Sequence, residues 1–140
     1  MEAAARTANA HGFILDLPEG YDTHILEGAA NLSLGQRQLI CIARAVLADP
    51  RILILDEATA HVDTVTEMLI QVALERLFEG RTSFVIAHRL STIQHANMIC
   101  VVDGGRVVEQ GVHEDLIERG GLYSTLYQQQ FLEAGHADRN

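Results

Sequence analysis

A chain of 140 residues, 48% of them hydrophobic, can build one ordinary core, so it is one domain or a piece of one. Its formal net charge of −9 argues against a phosphate backbone as main partner, because nucleic-acid binders carry a basic face. All ten basic residues are arginines, so no phosphate site here can rest on a lysine. Cys41 and Cys100 stand far apart in apolar surroundings without metal or redox spacing, and read as buried small hydrophobes. The amino terminus lacks a basic segment leading into a long apolar core, which excludes a secretory signal. No apolar run approaches the ~20 residues that span a bilayer. The chain by itself therefore reads as soluble, and any membrane role must come through a partner.

Residues 2 to 16 have helical composition, and Pro18-Glu19-Gly20 breaks the pattern. A polar, glycine-containing connector then runs through Glu27 and Gly28. Ser33 is placed to cap a helix in which Leu39, Ile42, Ala43, Val46 and Leu47 recur at helical spacing, closed by Pro50. Such a helix start, with a hydroxyl and Gly35 nearby, suits an anion, and equally suits an ordinary capped helix.

Ile52-Leu53-Ile54-Leu55 has no polar alternation and reads as a strand buried on both faces of a parallel sheet. Thr64-Val65-Thr66-Glu67 matches a capping box, and Ile70, Ala73, Leu74 and Leu77 mark an amphipathic helix ended by Gly80. Thr82 to Ala87 is a second short strand, so strand, helix and strand form a parallel crossover. Met98 to Asp103 is a third strand, returned through Asp103-Gly104-Gly105 into Arg106 to Glu109 as a hairpin. A short helix opens at Gly111 to Leu116. After Gly120-Gly121 a last helix carries Leu122, Leu126, Tyr127 and Phe131, with a frayed tail over 135–140.

Ligands of open α/β sheets bind past the carboxyl ends of the strands, where the first strand delivers Asp56 and Glu57. In a phosphate-handling site the first carboxylate can hold Mg²⁺ through water while the second polarises an attacking water. A strand followed by an acidic helix start also accounts for the pair alone. The second strand brings His88 to the same edge. The other six histidines fall in helical or polar connecting segments and read as solvated.

In this order the pieces resemble the ATP-binding cassette (ABC) ATPases. Leu32-Ser33-Leu34-Gly35-Gln36 resembles the signature motif, Ile52 to Asp56 the Walker B strand, Glu57 the catalytic glutamate, Ala60-His61-Val62-Asp63 the D-loop, and His88 the switch histidine. His88-Arg89-Leu90-Ser91-Thr92, Gly111-x-His113-Glu114 and Gly121-Leu122-Tyr123 are similar to exporter cassettes. The resemblance implies a partial P-loop NTPase fold of α/β class. In it, 1–50 supply part of the helical subdomain with the signature helix, and 51–134 the catalytic-core strands and final helices.

It further implies ATP and Mg²⁺ as ligands, held between two cassettes in head-to-tail array. Ser33, Gly35 and Gln36 would serve the ATP of the opposite cassette. Asp56 would help hold Mg²⁺ through water, Glu57 would polarise the attacking water, and His88 would sense the γ-phosphate. Asp63 would bridge the cassettes, and Glu27 would touch the coupling helices of an exporter's transmembrane domain. The place so implied is the cytoplasmic side of a membrane, peripheral through a transmembrane partner or fused domain.

The family's P-loop ends in Gly-Lys-Ser/Thr, and without lysine these residues cannot contain it. The adenine-stacking aromatic and glutamine loop are absent too, and the resemblance implies an apolar sheet edge left open. Leu34, the Leu26 and Ala29 that flank Glu27, and His61 also depart from the family pattern. The expectation is the carboxyl-terminal part of an exporter cassette, inactive alone. The alternatives are a non-catalytic partner that offers its signature helix in trans, and a remnant of a truncated gene.

Overall fold

The computed structural model describes residues 1–56, 62–86 and 94–137, which divide into two compact units, Met1–Val85 and Ile86–Asn140. The first unit opens with α1 (Glu2–Thr7) and α2 (His11–Leu15). The single helix expected over 2–16 is thus broken at Asn9, which takes φ 55°. Asparagine tolerates this left-handed backbone better than most residues, and here tertiary bonds hold it. Its amide donates to the Leu69 carbonyl at 2.9 Å, while Arg76 donates to its side-chain oxygen at 3.2 Å.

Then come α3 (Leu34–Ala48), β1 (Ile52–Asp56), α4 (Thr64–Phe78) and β2 (Thr82–Ile86). Strands β1 and β2 pair in one sheet, and the Thr82 amide donates to the Arg51 carbonyl at 3.2 Å. Both strands start at that bond, so they run parallel with α4 as the crossover, as the spacing predicts. The four periodic residues of α4, Ile70, Ala73, Leu74 and Leu77, are all buried. They meet Leu39 and Ile42 of α3, Leu53 of β1 and Ala5, Ala8 and Ala10. Leu77, 1% exposed, gives about 2 kcal/mol from burial alone.

β1 departs from the expectation of burial on both faces. Leu53 is buried, whereas Ile52 and Ile54 are 61% and 79% exposed, and Phe84 and Ile86 of β2 are exposed as well. Side chains alternate across a strand, so one face of β1 meets the core. Among the described residues nothing buries the other.

The second unit is a hairpin, β3 (Ile99–Asp103) and β4 (Arg106–Gly111), followed by α5 (His113–Arg119) and α6 (Leu122–Ala137). Gly104 and Gly105 take φ 52° and 76°, the left-handed pair that a two-residue hairpin turn requires, and Asp103 faces Arg106 across it. Val101, Leu116 and Tyr123 form the small core. Glu109 reaches from β4 to accept from the Leu122 and Tyr123 amides at 2.6 and 3.1 Å, capping α6. The helix runs to Ala137.

Both cysteines contradict their expected burial: Cys41 on α3 and Cys100 on β3 are exposed. Apolar neighbours in sequence misled, because on a helix or strand adjacent residues point to different faces. Two histidines are likewise not simply solvated. His11 Nδ1 lies 2.8 Å from the Tyr21 hydroxyl, and His113 Nδ1 lies 2.8 Å from the Tyr123 hydroxyl.

Candidate functional site

The start of α3 is built by reciprocal capping. Ser33 holds extended backbone as the N-cap; its hydroxyl accepts from the Gln36 amide at 3.2 Å, and the Gln36 side-chain oxygen accepts from the Ser33 amide at 2.9 Å. Ser33 was expected as the cap, but the answering role of Gln36 was not, although Ser-x-x-Gln spells it. The first-turn amides of Leu34 and Gly35 have no acceptor within a helix and carry its positive dipole end. A phosphate oxygen fits such a turn. Substituting Ser33 with alanine is expected to cost about 1 kcal/mol, read from the denaturation midpoint of the chain.

Gly35 is buried, and the reason is steric. A Cβ at this position would collide with the Thr66 methyl and lie 3.1 Å from Cγ1 of Val62. The signature-like turn is therefore laid directly on the segment that enters α4. Leu34 beside it is half-buried.

Asp63, not Thr64, caps α4: its Oδ1 accepts from the Thr66 amide at 2.9 Å. The carboxylate at 63 has the three-residue reach to Thr66 that the expected box placed one residue later. That hydrogen bond holds the Asp63 carboxyl below the usual aspartate value of 3.8, with the Thr66 hydroxyl adding to it. A lowered value means that the cap's contribution is present above pH 3.8 and is lost as the pH falls through the folded-state value. A carboxyl-carbon NMR titration is expected to put Asp63 below 3.8, and amide exchange at Thr66 is expected to speed up as Asp63 protonates.

Glu27 is exposed in a short 3-10 turn, Glu27–Ala29, in which Gly28 and Ala29 take φ 67° and 54°. The alanine does occupy a left-handed position that favours glycine. Two residues not anticipated hold this loop. Asn31 accepts from the Leu26 amide and donates to the His24 carbonyl, both at 3.1 Å, and Arg37 of α3 donates to the Gly28 carbonyl at 3.3 Å. Arg37 thereby ties the Glu27 loop to the same helix whose start carries Ser33 and Gly35.

Asp56 ends β1 with its side chain exposed, which suits a hard cation held through water. Glu57 and His88, with His61 of the D-loop-like stretch, lie outside the described residues. The structure thus brings Gly35 against the Val62 to Thr66 segment and links Glu27 to α3. Among the described residues no helix is long and apolar enough to cross a membrane.

In the second unit His113 packs with Tyr123 and Tyr127, their ring centroids 5.8 and 4.9 Å away, and Gln94 donates to the Tyr127 hydroxyl. Burial raises the Tyr123 hydroxyl above its usual 10.0, with Tyr127 and Glu114 adding to it. This cluster joins α5 to α6.

Comparison with known proteins gives these features a setting. The family model described as ABC transporter matches residues 3–60. The uncharacterized ABC transporter ATP-binding protein YfiC of Bacillus subtilis is 60% identical over 131 residues, 94% of this chain and 22% of that protein. An ATP-dependent lipid A-core flippase of Syntrophus aciditrophicus is 59% identical over 93% of the chain and 22% of its own length. For the ABC multidrug transporter atrD of Emericella nidulans the identity is 55%, over 93% and 10%.

Among solved structures, a bacterial Atm1-family ABC exporter with ATP bound superposes with TM-score 0.81 at 45% identity, covering 92% of this chain and 23% of that one. The chain thus spans less than a quarter of each of these proteins. Its parallel β1–α4–β2 core and capped α3 are part of a P-loop NTPase fold of the ABC type. Over residues 3–60 the chain matches the ABC transporter family model, and over nearly all of its length it is similar to part of the ATP-binding domain that ABC exporters carry.

Proposed function

We propose that this chain acts as the carboxyl-terminal portion of an ATP-hydrolysing cassette that drives an exporter, and that a P-loop-bearing amino-terminal portion completes it. The observation that carries this reading is the likeness, over 92% of the chain, to an exporter with ATP bound. The start of α3 adds a local argument. Its free amides and the Ser33 hydroxyl face a γ-phosphate held by the opposite cassette, and the dipole end favours the anion.

Asp56 would hold the Mg²⁺ shell at the end of β1, and Glu57, next in the chain, takes the proton of the attacking water. When bound, Mg²⁺ would neutralise charge that develops on the phosphate oxygens. His88 hydrogen-bonds the γ-phosphate, and so reports whether it is present. Asp63 stands at the seam between cassettes, and Glu27 passes the change to a transmembrane domain on the cytoplasmic side.

The test joins the chain to the amino-terminal cassette half of the YfiC relative and follows phosphate release. The completed cassette is expected to hydrolyse ATP, and the 140-residue chain to show none above background. Hydrolysis by the chain alone, or a completed cassette that binds ATP without turning it over, would overturn the proposal. A second reading is favoured by the complete capping box at Ser33 and Gln36 in a chain with no lysine. Here the chain offers its signature helix in trans to an intact cassette, and ATP-dependent binding to such a cassette would single it out.

A further inference from the structure

Thr66 makes two different contacts from one short side of α4. Its amide donates to Asp63 at 2.9 Å, which fixes the residue that caps the helix. Its methyl fills the space over Gly35, so that any Cβ there would overlap it and would also stand 3.3 Å from the Thr66 Cβ. Val62 closes the same space at 3.1 Å. Threonine branches at Cβ and has few helical rotamers, so this methyl is a rigid stop rather than the end of a flexible arm. On the far side of the turn, the Ser33–Gln36 box fixes the backbone of α3. All of these residues lie in one compact unit.

We propose that Thr66 is a positioning residue that locks the start of α3 to the segment ending at Asp63, so that the phosphate-facing turn and the cassette-bridging loop move as one body. The proposal deepens the ATP reading above and rests on it for the roles of the two ends. Close packing transmits displacement where no free volume can absorb it, and the Gly35–Thr66 contact leaves none. Occupation of the α3 turn by a phosphate then biases the position of Asp63, and engagement of Asp63 biases the turn in return, because coupling between two sites is reciprocal.

The test is a double-mutant cycle, Gly35→Ala, Thr66→Ser and both together. Thr66→Ser removes the methyl and keeps the hydroxyl that Asp63 uses. In the 140-residue chain, Gly35→Ala is expected to speed amide exchange about tenfold at both 34–37 and 63–66, and adding Thr66→Ser to recover most of it. In the completed cassette the same cycle is expected in the ATP concentration for half-maximal turnover, with kcat moving less. Exchange that rises at 34–37 alone, or that Thr66→Ser leaves unrelieved, would overturn the coupling while leaving the ATP reading intact. An exchange cycle that holds while the ATP dependence stays unchanged in all three variants would overturn the positioning role by removing the ATP reading of the α3 start.

Discussion

Glutamine in place of Glu57 is expected to lower ATP turnover of the completed cassette by about 10²- to 10⁴-fold. The substitution keeps the shape of the side chain and removes its ability to take a proton. Glu57 directly follows Asp56, whose exposed side chain ends β1, and ligands of parallel sheets bind past the carboxyl ends of their strands. ATP affinity is expected to stay within about twofold, because a group that acts on the water contributes chiefly in the transition state. Phosphate release gives kcat, and a fluorescent nucleotide gives the binding constant. A fall in affinity with kcat unchanged would make Glu57 a binding residue instead, and an unchanged rate would leave the water to another group.

Leu77→Ala has the largest expected effect on stability. The side chain is 1% exposed and sits among Ile70, Ala73, Leu74, Leu39, Ile42 and Leu53. Its removal loses the transfer energy of the lost carbons and leaves a cavity that the helices close only in part, at a cost of about 3 kcal/mol. Ile54→Ala on the same unit is expected to cost less than about 0.5 kcal/mol, since Ile54 is 79% exposed. Urea denaturation of the chain measures both. Equal losses would mean that the outward face of β1 is covered in solution, and a small loss at Leu77 would place the core elsewhere.

Where the sequence is informative, one periodicity or one spacing decides the outcome. Ile70, Ala73, Leu74 and Leu77 sit on one helical face and nowhere else, and all are buried. Gly104 and Gly105 can adopt a turn that few other pairs can, and the hairpin follows. The cap at Ser33 was readable because a short hydroxyl preceded an apolar period.

What remained hidden depends on partners distant in the chain. The break at Asn9 is held by Leu69 and Arg76, sixty or more residues away. An Ala-rich stretch gives no hint of it. The choice of Asp63 over Thr64 as cap turned on a single residue of register, the least secure feature of any helix boundary. The packing of Gly35 against Thr66 required two helices to meet, so the spacing within either one could not disclose it. The ends of the candidate site at Glu57 and His88 were assigned on resemblance and lie outside the described residues.

The misplaced cysteines have a practical use. Cys41 and Cys100 are both exposed, neither is tied in a disulfide, and each lies in a different compact unit. The natural chain therefore carries one reactive handle per unit with no engineering, and a pair of spin labels or dyes attached there forms a ruler between them. These 140 residues contain no lysine, so none of their side chains offers an amine to compete with the thiols. Reading that distance in a completed cassette with and without ATP tests whether nucleotide moves the two labelled sites relative to each other.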